Sequence, residues 1–166
     1  MLYNKRGDHM ATKTNAVRLI QQAAIPCREE FYEFDENDLN GLHAAHAIGK
    51  PAEEVFKTLV ARGERTGINV FCIPVCCELN LKKAAKAAGD KNMELIHVKE
   101  LLGITGYIRG GCSPVGMKKK FPTFFDETCQ LYDEIAVSAG ARGHQMIVSP
   151  ELLAKFVDAK LVDIIQ

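Results

Sequence analysis

Apolar positions recur at helical spacing near the start of the chain and give way to alternation and short apolar runs further on. Ala16, Val17, Leu19, Ile20 and Ala23 follow the period of an amphipathic helix, with Thr12 or Thr14 as its cap and Pro26 as its end. Residues 27–34 then read as a strand, and 35–41 as an acidic, turn-rich loop. A short helix over 42–48 is closed by Gly49. Residues 55–61 and 68–75 read as two strands with a hairpin-like connection through Arg62, Gly63, Glu64, Arg65, Thr66 and Gly67.

Helices are predicted over 81–88, ended by Gly89, and over 98–102. A glycine-rich loop covers 103–116, and 124–135 mixes strand and turn. Strands over 135–138 and 145–148 flank a glycine turn at 139–143. Ser149, Pro150 and Glu151 make a helix start: a cap, a proline at the first position and an acid in the first turn. That helix covers 152–157, and 160–164 returns as a last strand. The irregular interleaving of strands and helices predicts an α+β single domain with a mixed sheet, without repeats or a linker.

Composition narrows the class. The 166 residues are 47% hydrophobic and 25% charged, enough apolar residues for a core without disulfide staples. No apolar run approaches the roughly 18–20 residues of a membrane span. The polar segment 1–10 lacks the apolar stretch of a signal peptide and reads as a flexible extension or tag remnant, so the domain is expected from Ala11. Cys27, Cys72, Cys76, Cys77, Cys112 and Cys129 form no Cys-x-x-Cys pair and read as reduced thiols, which predicts a cytoplasmic protein. Lysine plus arginine and aspartate plus glutamate each number 21, so the net charge is zero. That argues against gripping a DNA duplex by charge and leaves room for a short single-stranded end.

The common catalytic signatures are absent: there is no Gly-x-Ser-x-Gly elbow, Walker loop or Gly-x-Gly-x-x-Gly. His43 and His46 share a helix face but lack partner ligands, so no metal or other cofactor is expected. Cys76 and Cys77 read as core thiols. Lys57 interrupts the apolar segment 55–60, on one strand face with Val55 and Leu59. It is either a functional cation or an edge-strand lysine that guards against aggregation. Glycines around Gly106, Gly110, Gly111 and Gly116 either cradle an oxygen with backbone N–H groups or merely serve a tight turn. Lys118, Lys119 and Lys120 follow, as a solvated run or as a grip on nucleic-acid phosphates.

Several segments occur together in one order: Phe56-Lys57-Thr58-Leu59, Leu81-Lys82-Lys83-Ala84-Ala85, Thr105-Gly106-Tyr107, Gly110-Gly111-Cys112-Ser113-Pro114, Val137-Ser138-Ala139-Gly140 and Arg142-Gly143. In them the chain resembles the YbaK/EbsC family of aminoacyl-tRNA deacylases, related to the editing domain of bacterial prolyl-tRNA synthetases. The resemblance implies a curved, barrel-like mixed sheet with helices around it. It implies cleavage of the ester of mischarged tRNA, above all Cys-tRNA(Pro), with Cys-tRNA(Cys) a further substrate. An alanyl-tRNA(Pro) deacylase and a non-catalytic tRNA-end or synthetase-binding module are the alternatives.

The family's essential lysine falls on Lys57 and its glycine–proline loop on Gly110 to Pro114. The resemblance thus makes Lys57, Gly110 and Gly111 the catalytic set, the glycines through backbone N–H groups on the carbonyl oxygen. Tyr32, Thr58, Cys112, Ser113, Pro114 and Ser138 become substrate-binding residues, and Lys118, Lys119 and Lys120 contact tRNA phosphates. The implied partners are the aminoacyl-tRNA acceptor end and prolyl-tRNA synthetase. Ala141 departs from the family pattern, which has lysine there. Water and the thiol of the bound cysteine are both open as nucleophiles, and the thiol is favoured because it explains selectivity without a protein base.

Overall fold

The computed structural model describes residues 13–166. The expected extension 1–10, the start at Ala11 and the alternative cap Thr12 lie outside the described residues. Helix α1 spans Asn15–Gln22, and Thr14 caps it by accepting from Val17 N at 3.2 Å. Strand β1, Cys27–Phe31, is shorter than its pattern predicts. The chain leaves the ladder after Tyr32, whose N–H still donates to Gly143 O at 2.9 Å, and Asp35 and Asp38 then pair to turn it back. Asn40 caps α2, Gly41–Ile48, and Gly49 ends it with φ 70°.

Strands β2, Phe56–Gly63, and β3, Gly67–Pro74, form the expected hairpin in full register. Asp90 clamps its turn, accepting from Arg65 N, Thr66 N and Thr66 Oγ1 at 3.0, 2.8 and 2.7 Å. Helix α3, Leu81–Ala88, is followed by a short strand β4, Met93–Leu95, that the hydrophobic pattern did not predict. Helix α4 runs Val98–Thr105, three residues beyond expectation, and Glu100 supports its start by accepting from His97 N. Then come β5, Thr123–Asp126, a 3-10 turn at Glu127–Leu131, β6, Ile135–Ala141, and β7, His144–Val148. Ser149 caps α5, Pro150–Phe156, and β8 is Lys160–Val162.

The single curved barrel is corrected to two sheets. A 3-stranded antiparallel sheet has the order β1-β7-β6, and a 5-stranded mixed sheet the order β4-β2-β3-β5-β8. One parallel bridge, Val55 to Ala136, joins them. Val55 itself is bonded away from the small sheet: its N–H donates to Ala52 O at 3.3 Å and its carbonyl accepts from Val75 N at 2.8 Å.

Side chains alternate across β6 and β7. Ile135, Val137, Met146 and Val148 face α1 and α5, in a core shared with Phe56, Cys72 and Phe125. Ala136 and Ile147 face α2 through Ala45, Val55 and Val75. A further core lies under α3, built on Phe71, Ile73, Phe124 and Ile164. The α2 face of the small sheet therefore meets the start of β2, and a cleft opens at that junction.

A cleft between the two sheets

The cleft has a volume of about 380 Å³ and is lined by residues from β2, β6, β7, α2 and the loop after α4. Tyr32, Lys57, Thr58, Gly110, Cys112 and Ser138 of the expected site all reach its walls. Lys57 pairs with Ile73 across the hairpin, and strand alternation puts it on one face with Val55 and Leu59, which also line the cleft. Its ammonium has no hydrogen-bond or ion-pair partner among the described residues, and the residue is half-buried. Two larger grooves, of about 680 and 700 Å³, lie elsewhere. The cations in them, Lys155 and Arg62, are ion-paired at 3.5 and 2.9 Å.

Opposite Lys57 stands the loop between α4 and β5. Tyr107 is its anchor: its N–H donates to Thr105 Oγ1 at 3.0 Å and its hydroxyl donates to the Val115 carbonyl. Gly110 adopts φ 85°, and a Cβ there would lie 3.1 Å from Leu39 Cδ2, so glycine meets both a backbone and a space requirement. The expected pair of oxyanion donors is altered. The Gly111 N–H donates within the loop to Ile108 O at 2.9 Å, closing a turn, and cannot serve a ligand at the same time. The amides on either side, Gly110 and Cys112, donate to no group among the described residues. Ser113 is fully buried and its Oγ accepts from Val115 N at 3.2 Å, so it shapes the loop from within. Pro114 lines a separate depression with Lys119 and Lys120.

Arg142, in the turn between β6 and β7, ties this loop down. Its Nε donates to Arg109 O at 2.9 Å, and its Nη1 lies 3.9 Å from Glu36 Oε1 of the acidic loop. The far wall is a cross-strand row. Ser138 pairs with Gln145, and Gln145 with Glu30. Ser138 Oγ accepts from Gly140 N at 3.2 Å. Tyr32 sits at the end of this row, and burial pushes its phenol up while hydrogen bonds from Gln145 and Gly143 pull it down.

The remaining candidates have other partners or lie outside the cleft. Thr58 turns its hydroxyl inward, 3.6 Å from Cys72 Sγ. Burial pushes the Cys112 thiol up to about 12, against a hydrogen bond with Thr105, so it stays protonated at neutral pH. Lys118 Nζ donates to Gly103 O at 3.3 Å and Lys120 pairs with Asp158 at 3.6 Å, so the lysine run lies outside the cleft wall. His43 lies between Asp38, at 3.9 Å, and the Glu33 carbonyl, at 3.4 Å. Among the described residues no cluster of three or more His, Cys, Asp or Glu side chains is placed to hold a metal ion. Gln145 and Arg109 line the cleft but were not foreseen. For Gln145 a signal existed: it is the polar member of an otherwise apolar strand, Gln-Met-Ile-Val.

The chain is similar to several known proteins. Residues 42–156 match the family model of the aminoacyl-tRNA editing domain. A protein of Enterococcus faecalis with the provisional name Cys-tRNA(Pro)/Cys-tRNA(Cys) deacylase EbsC is 45% identical over 152 residues, covering 92% of this chain and 93% of that one. A proline–tRNA ligase of Shouchella clausii is 29% identical over 104 residues, 63% of this chain but 18% of the ligase. A solved structure described provisionally as a trans-editing enzyme for prolyl-tRNA synthetase superposes with TM-score 0.76 at 24% identity, covering 92% and 98% of the two chains.

Proposed function

The chain belongs to the aminoacyl-tRNA editing domain family, and on that premise we propose that it is a trans-acting deacylase that removes cysteine from Cys-tRNA(Pro) and Cys-tRNA(Cys). The observation that carries the reading is the unpaired ammonium of Lys57 sharing one small cleft with the unpartnered amides of Gly110 and Cys112. Attack on the aminoacyl ester places negative charge on the carbonyl oxygen. Two N–H groups fixed by an anchored loop answer that charge without reorganising. Lys57 holds the terminal phosphate or the ester oxygens of the acceptor end. The cleft volume suits an aminoacyl ribose and excludes a base-paired stem.

Among the described residues the cleft offers no activated nucleophile of its own. The Cys112 thiol stays protonated, and Ser138 Oγ has no histidine beside it: His144 engages Glu29 at 2.9 Å from the opposite sheet face. The substrate thiol then attacks its own carbonyl. A sulfur–carbon bond forms and the ester carbon–oxygen bond breaks. The thiol proton passes to the departing ribose oxygen, and a cyclic thioester leaves. This route selects cysteine over similar-sized amino acids, which binding alone separates by only about 1–3 kcal/mol.

Lys118, Lys119 and Lys120, outside the cleft, meet phosphates further along the acceptor stem. Association with prolyl-tRNA synthetase supplies tRNA selection, in keeping with the likeness to part of such a ligase. No helix among the described residues is long and apolar enough to cross a membrane, and the six cysteines are free thiols, which supports a cytoplasmic site of action.

The test is steady-state deacylation of cysteinyl-, alanyl- and seryl-tRNA(Pro). Cysteinyl-tRNA is expected to turn over fastest. Equal rates on seryl-tRNA overturn the thiol route, faster alanyl-tRNA overturns the cysteine assignment, and binding without turnover overturns the enzyme.

A further inference from the structure

Gln145 is 6% exposed and is the second residue of β7. Its Oε1 is buried without a hydrogen-bond partner, and no other buried side-chain nitrogen or oxygen among the described residues is in that state. A buried acceptor stripped of water and left unpaired destabilises the folded chain, so folding does not explain an amide here. The residue is part of the cleft lining, and its NH₂ group engages the Tyr32 phenol, so the oxygen just beneath that wall is the polar atom left without a partner, and a donor entering from the cleft would reach it by a small side-chain turn.

The neighbour on β1 sharpens the chemistry of the missing donor. Glu30 pairs directly with Gln145, on the same sheet face, and its carboxylate has no partner among the described residues. An orphan acceptor beside an uncommitted carboxylate is a place for a cationic donor. Lys57, on the opposite sheet, supplies the complementary positive charge for the phosphate and ester end. An aminoacyl ester carries one cation, its α-ammonium group.

We infer that Gln145, with Glu30 behind it, receives the free α-ammonium group of the substrate, so that the cleft admits aminoacyl esters and spares those whose amine is acylated. The inference rests on the proposed deacylase reading and deepens it. It makes peptidyl-tRNA and N-formylated or N-acetylated aminoacyl-tRNA non-substrates, whatever their side chain.

The experiment compares cysteinyl-tRNA with 3-mercaptopropionyl-tRNA, which keeps the thiol and the ester and lacks only the amine. Each kcat/KM is divided by the spontaneous cleavage rate of the same ester, which removes the amine's effect on ester reactivity. The wild-type chain is expected to favour the amine by about 10- to 100-fold, the range of a hydrogen bond to a charged group. Gln145→Met is expected to lose that preference, to within about threefold, through a fall on cysteinyl-tRNA alone, with a melting temperature no lower than wild type. Gln145→Glu keeps the acceptor and is expected to keep the preference, which covers the case in which the methionine variant fails to fold. A wild-type chain indifferent to the amine, or a Gln145→Met chain that still prefers it, overturns the inference and leaves the deacylase standing. A wild-type chain that cleaves neither ester overturns the deacylase reading itself.

Discussion

Arg142 Nε donates to the carbonyl of Arg109 at 2.9 Å, so a turn on the small sheet holds the loop that faces the large one. The bond fixes the residue immediately before Gly110, whose amide has no other duty. Arg142→Ala is expected to lower kcat/KM by about tenfold through misplacement of that amide, since small displacements of a donor weaken it steeply. Circular dichroism is expected to stay unchanged. Wild-type turnover in the alanine variant would show that the loop holds itself.

Lys57 makes no ion pair among the described residues, so its removal breaks no charge pair of the fold. Lys57→Ala is expected to cut deacylation by about 100-fold or more, the scale of losing one charge-stabilising group. The melting temperature is expected to move by less than about 2 °C, as for a surface substitution. Activity near wild type would remove Lys57 from the site.

The Cys112 thiol, pushed up to about 12 by burial, predicts an enzyme without a covalent intermediate. Acid-quenched single turnovers, read by mass spectrometry, are expected to show no cysteinyl adduct on the chain. Iodoacetamide at neutral pH is expected to label exposed Cys76 and to leave buried Cys72, Cys112 and Cys129 untouched. A trapped adduct on Cys112 would replace the substrate-thiol route.

Phe125 is fully buried on β5, opposite Cys72 and Leu161, away from the cleft wall. Phe125→Ala is expected to cost about 3–5 kcal/mol and to lower the melting temperature by roughly 6–20 °C. Denaturant titration with an unchanged slope would attribute the loss to packing.

Three hydrogen bonds from Thr66 and Arg65 hold the Asp90 carboxyl well below the usual carboxylate range. A depressed pKa contributes stability above the unfolded value, about 3.9, and that contribution fades as pH falls below it. Asp90→Asn is therefore expected to melt below wild type at pH 7, with the gap narrowing from about pH 4 downward. A gap independent of pH would assign the effect to geometry instead of charge.

Local chemistry made most elements legible. Thr14 and Ser149 cap the helices they precede, as expected, and Gly49 and Gly89 end theirs in the left-handed conformation, while the caps Asn40 and Asn80 show only in the structure. Strand β4 was not legible, because three residues carry no period and it exists by pairing with the end of β2. The division into two sheets was hidden for a similar reason: it depends on pairings between distant strands, and among the described residues only Val55 and Ala136 bridge the two sheets. In the site, separate motifs brought Tyr32, Lys57, Gly110 and Ser138 to one cleft. Gly111 and Ser113 belong to the same motif but serve the loop, a distinction that spacing does not contain. Gln145 is marked in the sequence as a polar residue in an apolar segment, but its missing partner shows only in three dimensions.

The pairing of β1 with β7 has a consequence for the order of synthesis. Residues 27–31 wait for 144–148 before they join any ladder. A nascent chain whose first 120 residues have left the ribosome carries Tyr32, Lys57 and Gly110 but neither Ser138 nor Gln145. The wall made by Ser138 and Gln145 is therefore the last part of the cleft to be synthesised, and the strand pairing that closes it follows the loop and the lysine it faces.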